Sequence, residues 1–305
     1  MIPGGVGNLY RGRYGGDMSL ALIGHGSIRS RLLQVAASPA AAYGFFGPEH
    51  IGKRGVANEF ARAVLGMSED MPLTAHPDLV VFDARGESGV EEVKQFLAQA
   101  HQTAAYGGRR VFMIDHADEL NAAGTNALLK DVEEPRSGIV FLLIAGRPEA
   151  LPATLRSRMV PLWHGLLQEQ EMQAVASKCG APQSWVSAML GRPGLLMRRQ
   201  ADPAWWERCA SHAAAVDSAM RRGDSGLVIA AVDDWQKSIE KTGEPQQEWR
   251  ILLLLLMERW RFAPDACLGE GLVASWRYLE TAIPARFGIE LMTSERQLFQ
   301  KRGIL

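Results

Sequence analysis

The chain has 305 residues, a length that calls for two or three domains rather than one small core. Hydrophobic residues make up 47% and charged residues 22%, ordinary values for a globular protein. The formal net charge of -1 excludes a globally basic nucleic-acid binder, so contact with nucleic acid needs a local patch or a basic partner.

Residues 1–17 are rich in Gly, carry Arg11 and Arg13, and are expected to form a loose tail. The first residues lack the apolar core of a signal peptide. Cys179, Cys209 and Cys267 are too far apart for a CxxC metal site and read as reduced thiols. A cytoplasmic protein without a membrane contact is expected.

From Ser19 to about Leu162 strand-like and helix-like stretches alternate. Tyr43 to Phe46 is a short strand running into Gly47-Pro48. Arg54 to Leu65 places Val56, Phe60 and Val64 at helical spacing. Leu79 to Phe82 is a compact apolar strand. Ser88-Gly89-Val90-Glu91 has the Ser-x-x-Glu form of a capping box, and the helix it opens carries Val90, Val93, Leu97 and Ala100 on one face. After the break at Gly107-Gly108, Val111 to Ile114 is a buried strand ending at Asp115. Asn121 caps a helix that Pro135 stops. Ile139 to Ile144 is a further buried strand. Buried strands alternating with helices predict a parallel sheet covered on both faces, an α/β domain over residues 18–162.

Beyond Trp163 the strand signal fades. Gln168 to Lys178, Gln183 to Leu190 and Gly194 to Gln200 read as short helices, a small helical domain over 163–202. Residues 203–305 read as longer helices broken at Gly223, Gly243 and Pro264. The apolar run from Ile251 to Met257 is too short to span a bilayer and reads as a buried helix. Trp205, Trp206, Trp235, Trp249 and Trp260 are candidate anchors for a partner, or core residues of this domain.

Gly47-Pro48-Glu49-His50-Ile51-Gly52-Lys53-Arg54 lies between a strand and a helix, the setting of a phosphate-binding P-loop, G-x-x-x-x-G-K-[ST]. Gly47 and Gly52 let the backbone curl, the helix N-terminus favours anions, and Lys53 would reach the β- and γ-phosphates. Three positions depart from a working ATP site. Arg54 stands where a hydroxyl should meet Mg²⁺, and a guanidinium has only donors. Asp115 is followed by His116 rather than a water-activating Glu. Ala145 stands where a polar side chain would sense the γ-phosphate. ATP or ADP bound without hydrolysis is therefore the expectation.

The stretch from Gly107 to Met159 adds a family resemblance. It contains Val111-Phe-Met-Ile-Asp115, then Asn126-Ala-Leu-Leu-Lys-Asp-Val-Glu-Glu-Pro135, then Leu155-Arg156-Ser157-Arg158. These residues resemble the bacterial clamp-loader family of AAA+ proteins, with its Walker B strand, its Asn-Ala-Leu-Leu-Lys…Glu-Glu-Pro helix and its Ser-Arg-Cys motif. Leu22-Ile-Gly-His25, His76-Pro-Asp78 and Gly191-Arg-Pro-Gly194 are similar to further segments of that family. The resemblance covers roughly residues 19–200.

It implies an AAA+ P-loop domain with a parallel sheet, a small helical lid and a C-terminal all-helical collar. Loss of both the P-loop hydroxyl and the acidic pair is similar to the non-motor, delta-prime-like members of DNA polymerase III. By the same resemblance Arg158 is an arginine finger acting in trans on a neighbouring ATPase subunit, and Ser88 and Gly89 face DNA. The implied partners are gamma/tau-like ATPase subunits, a delta-like subunit, the sliding clamp and primed DNA. Two departures stand out. Met159 replaces the Cys of Ser-Arg-Cys, and the stretch from Gly66 to Ala75 lacks the family's four-cysteine zinc module, so neither zinc nor another metal is expected. The alternative is an active AAA+ ATPase that finds its metal ligand and base elsewhere.

Overall fold

A computed structural model describes residues 23–68, 71–85, 90–106, 108–240 and 245–260. They fall into two compact units, divided between Leu196 and Met197.

The first unit alternates helices and strands: α1 (Gly26–Val35), β1 (Ala42–Phe46), α2 (Lys53–Leu65), β2 (Leu79–Asp83), α3 (Val90–Ala98), β3 (Arg110–Asp115), α4 (Ala122–Glu133), β4 (Ile139–Ala145), the single turn α5 (Ala153–Arg156), β5 (Val160–Trp163), α6 (Glu169–Cys179) and the start of α7 (Pro193–Ala201). The five strands form one parallel sheet in the order β2-β3-β4-β1-β5. Parallel strands need helical crossovers, which cover both faces and explain the unbroken apolar runs.

Alternate residues of each strand feed opposite cores. On one face Phe46, Phe112, Ile114, Phe141 and Leu143 pack with Val93, Phe96 and Leu97 of α3 and Leu128 and Val132 of α4. On the other, Tyr43, Phe45, Val111, Met113, Leu142 and Ile144 pack with Val56, Phe60 and Val64 of α2 and Leu32 of α1. Each such buried side chain contributes about 1.5–3 kcal/mol relative to exposure.

The α/β reading holds, and the structure adds a strand that the sequence did not suggest. β5 pairs with β1, with Gly44 opposite Pro161. It is an edge strand, where the missing N–H of a proline is tolerated. The His-Pro-Asp segment has a structural role. Asp78 accepts hydrogen bonds from the backbone N–H groups of Ala105 and Tyr106 at 2.7 and 2.9 Å, and its buried carboxylate lies 3.6 Å from Arg110 Nε. Asn121 caps α4 as expected, accepting from Gly124 N at 2.7 Å. The Ser88 end of the predicted capping box lies outside the described residues. The helix expected over Gln183 to Leu190 is instead two 3-10 turns, Gln183–Trp185 and Ser187–Met189.

In the second unit all described elements past α7 are helical: α8 (Pro203–Arg222), α9 (Ser225–Ile239) and α10 (Pro245–Trp260). Asp202 and Asp224 cap α8 and α9 by accepting from Trp205 N and Leu227 N. Gly223 ends α8 in the left-handed conformation, with φ 68°. Trp205, Trp206, Trp235 and Trp249 are all buried, which makes them core residues of this unit rather than exposed anchors. The side chain of Trp260 lies outside the described residues. Glu248 is buried as well. Its carboxylate accepts from Trp205 Nε1 at 2.9 and 3.1 Å, with Cys209 Sγ at 3.5 Å and Arg198 Nη2 at 3.5 Å. Among the described residues no helix is long and apolar enough to cross a membrane.

Candidate nucleotide-binding site

The site lies at the carboxyl ends of the strands, where ligands of open parallel sheets bind. β1 delivers Phe46 to the loop Gly47 to Gly52, and α2 starts at Lys53. Gly47 has φ +139°, and a Cβ there would lie 2.2 Å from the carbonyl oxygen of His164, so no other residue fits. Gly52, with φ 97°, precedes α2 and offers its first turn no side-chain cap.

The loop is braced from two sides. His25 Nε2 lies 2.9 Å from Ile51 O, and Gly194 N, at the start of α7, donates to His50 O at 2.8 Å. His50 itself is left-handed, with φ 62°. Lys53 Nζ donates to Gly47 O at 2.6 Å and to Pro48 O at 2.7 Å, which closes the loop into a ring. Burial lowers the Lys53 pKa to about 8, against the pull of Glu49, Asp115 and Asp118. Gly47, Gly52 and Lys53 thus keep the backbone outline of a phosphate loop.

The next residue does not fit a metal. Arg54 Nη1 donates to Asp115 Oδ2 at 2.9 Å, joining the first turn of α2 to the end of β3. In P-loop NTPases a hydroxyl and an Asp at these two places hold Mg²⁺. Here a guanidinium lies on the carboxylate, and it can ligate no cation. The residues present do not fit a magnesium ion.

His116 follows Asp115 with φ 52°. Its backbone N–H donates to Asp115 Oδ1 at 3.0 Å, and its Nδ1 lies 3.2 Å from Asp83 Oδ1 and 3.5 Å from Asp115 Oδ1. Burial opposes the imidazolium, but the bond to Asp83 and the charge of Asp115 outweigh it and raise the His116 pKa. Burial likewise opposes the Asp83 carboxylate, and the bonds from His116 and Arg85 outweigh it, holding its pKa far below the usual range. Nδ1 of the imidazole is therefore engaged with the Asp83 and Asp115 carboxylates. Asp118 accepts from Gly146 N, Arg147 N and Arg147 Nε, ordering the chain just after Ala145.

Arg158 lies apart from this cluster, at the turn between α5 and β5. Its side chain is 40% exposed, with Nη2 2.8 Å from Glu133 Oε1 and Nη1 donating to Thr154 O at 2.7 Å. Ser88 and Gly89 lie outside the described residues.

Two side chains near the loop escaped the sequence reading. Arg192 is buried, its Nη1 donating to Leu190 O at 3.2 Å, and its charge acts against that of Lys53. Burial lowers its own pKa and Glu49 counters that effect. Arg192 belongs to Gly191-Arg192-Pro193-Gly194, one of the segments similar to the clamp-loader family. His164 is also buried. Burial and the neighbouring His25 push its pKa down to about 4, and its Nδ1 lies 2.9 Å from Leu162 O. No sequence pattern marked it.

Comparison with known proteins agrees with this geometry. Residues 33–163 match the family described as DNA polymerase III, delta subunit. The chain is 36% identical to DNA polymerase III subunit delta' of Pseudomonas aeruginosa over 140 residues, 41% of this chain and 43% of the relative. It is 31% identical to the gamma/tau subunit of Mycobacterium bovis over 152 residues, 45% of this chain and 26% of the relative. The matches thus span less than half of these curated relatives. A gamma subunit-related protein of Thermotoga maritima shares the fold, with a TM-score of 0.59 and 14% identity over 87% of this chain and 97% of that one. Over residues 33–163 this chain is therefore similar to DNA polymerase III clamp-loader subunits, delta' and gamma/tau among them.

Proposed function

We propose that the chain is a non-motor subunit of a DNA polymerase III clamp loader, which does not hydrolyse ATP itself and completes the active site of a neighbouring ATPase subunit. The observation that carries this reading is the ion pair between Arg54 and Asp115, because it places a fixed positive charge where hydrolysis needs a metal ion. The residue after Asp115 supports the same reading, since it is His116, with Nδ1 3.2 Å from Asp83, in place of a carboxylate.

In this account Arg158 is the contribution in trans. It is partly exposed, and its one ionic partner among the described contacts is the surface residue Glu133. An exposed ion pair contributes only ~0–1 kcal/mol, so the guanidinium is easily released to a neighbour's γ-phosphate. There it would stabilise charge developing in phosphoryl transfer, an effect of ~10³–10⁵ in rate for comparable fingers. The partners are gamma/tau-like ATPase subunits and a delta-like subunit, acting on the sliding clamp and primed DNA. Ser88 and Gly89, just before α3, are assigned to the DNA phosphates. Nucleotide is held at Gly47, Gly52 and Lys53 without turnover, and the helices from Pro203 onward serve as the collar.

The test is steady-state ATP turnover by the purified chain alone and after mixing with gamma/tau-like and delta-like subunits, clamp and primed DNA. The expected result is no turnover alone and full turnover in the mixture. Turnover by the isolated chain would establish the alternative, an active ATPase.

A further inference from the structure

The P-loop presents a contradiction between its two halves. Gly47, Gly52 and Lys53 are arranged for phosphate, while Arg54 and Asp115 are arranged against metal. In an ordinary P-loop these functions are inseparable, because the cation bridges the phosphates and offsets the nearby Asp. Here the offset is covalently part of the chain. Nη1 of Arg54 lies 2.9 Å from a carboxylate that is only 8% exposed.

We propose that the Arg54 guanidinium takes the place of the divalent cation on Asp115, so that this P-loop binds a nucleoside di- or triphosphate independently of metal. The inference rests on the nucleotide-holding part of the function proposed above. Three observations argue for it.

Charge is the first. Without metal, a nucleotide brings several uncompensated negative charges to a loop flanked by Glu49, Asp115 and Asp118. Arg54 neutralises the Asp115 carboxylate that would otherwise repel them. Lys53 and the buried Arg192 supply two more positive charges near the loop, and Arg192 stands just ahead of Gly194, whose N–H holds His50. The uncapped start of α2 adds its dipole.

The second is the shape of the loop. Lys53 spends two of its three N–H donors on Gly47 O and Pro48 O, so the chain's own groups hold the loop closed, and its third donor can meet a phosphate oxygen. His25 and Gly194 hold it from outside.

The third is an orphaned polar atom beside the loop. His164 is 4% exposed, its backbone N–H donates to Phe46 O at 2.7 Å, and its Nδ1 is matched to Leu162 O. Its Nε2 is buried with no hydrogen-bond partner. A buried unpaired nitrogen is costly unless something completes it. In the neutral ring with Nδ1 protonated, Nε2 is an acceptor, suited to a hydroxyl or amino group of a ligand.

The experiment is calorimetric titration of the full chain with ADP, once with Mg²⁺ and once with EDTA, on the wild type and on Lys53→Ala, Arg54→Ser and Arg54→Gln. The expected result is equal wild-type affinity in the two buffers, within about twofold, and loss of binding in Lys53→Ala. Arg54→Ser, which restores the hydroxyl and frees Asp115, should bind at least about tenfold more tightly with Mg²⁺ than with EDTA. Arg54→Gln should bind more weakly in both. Mn²⁺ resonance of the wild-type chain with ADP should show no bound ion, a readout that needs no variant to fold. Wild-type affinity that falls about tenfold in EDTA, bound Mn²⁺ in the wild type, or no ADP binding in either buffer would overturn the proposal. None of these outcomes bears on whether Arg158 acts on a neighbour, so failure here and failure of the non-motor reading are told apart.

Discussion

Arg54 and Asp115 lie 61 residues apart in the chain and 2.9 Å apart in space, one at the first turn of α2 and the other at the last residue of β3. The pair ties the phosphate loop to the end of an inner strand of the sheet. Arg54 is 30% exposed, so water screens part of the attraction, and a double-mutant cycle with Arg54→Ala and Asp115→Ala should give a coupling of about 1 kcal/mol in urea unfolding. Asp115→Ala alone should cost more, about 2–3 kcal/mol, because it also removes the acceptor for His116 N. A coupling near zero would mean that the two side chains do not support one another.

A pH dependence follows from the contact of His116 with Asp83. The raised His116 pKa gives stability that is fully present below the unfolded value of about 6.5 and is lost as pH rises through the folded value. The depressed Asp83 pKa gives stability present above about 3.9 and lost as pH falls toward its folded value. The pair therefore supports the fold best between these limits. His116→Asn keeps a residue that tolerates the left-handed backbone but cannot be charged. Its unfolding free energy should decline less than that of the wild type as pH rises above about 6.5. Parallel curves for the two proteins would contradict the assignment.

Gly47→Ala should be strongly destabilising, by about 3 kcal/mol or more, because its Cβ would meet the His164 carbonyl at 2.2 Å on a backbone with φ +139°. Gly52→Ala has φ 97° but open space around the added carbon, so its cost should be strain alone, about 1–3 kcal/mol. Thermal melts of the two variants give the comparison. Equal losses would show that the close approach of His164 is unimportant.

In the second unit, burial and then the neighbouring Glu248 push the Cys209 thiol well above its ordinary pKa. Alkylation of the native protein, read by peptide mass, should modify the partly exposed Cys179 long before Cys209. Glu248→Ala should cost about 3 kcal/mol or more, since it leaves Trp205 Nε1 buried without its acceptor and removes the carboxylate that faces Arg198 at 3.5 Å. Faster labelling of Cys209 than of Cys179 would contradict the packing of α8 against α10.

The sheet was legible where its strands are uninterrupted apolar runs: Val111 to Ile114 and Ile139 to Ile144, buried on both faces, and Leu79 to Phe82, a partly buried edge strand. β5 was not legible. Pro161 interrupts its pattern and Trp163 is exposed, so an edge strand of four residues leaves almost no periodic signal. The faults at Arg54 and His116 could be read from residue type alone. Their consequence could not, since whether Arg54 swings into solvent or closes on Asp115 depends on a contact made by the folded sheet. His164 and Asp83 were invisible for the same reason: each acquires its role from neighbours far away in sequence, His25 for one and His116 for the other. The tryptophans of α8 to α10 carried two readings, and only packing could decide that Trp205, Trp206, Trp235 and Trp249 belong to the core.

The central claim is that this chain acts on a neighbour's ATP through Arg158. Its most direct test is single-turnover ATP hydrolysis by a reconstituted loader on clamp and primed DNA, with wild-type chain, Arg158→Ala and Arg158→Lys compared at equal assembly. The account predicts that Arg158→Ala lowers the rate by at least about tenfold and that Arg158→Lys, lacking the planar fork, restores little of it. Unchanged hydrolysis in fully assembled Arg158→Ala complexes would contradict it.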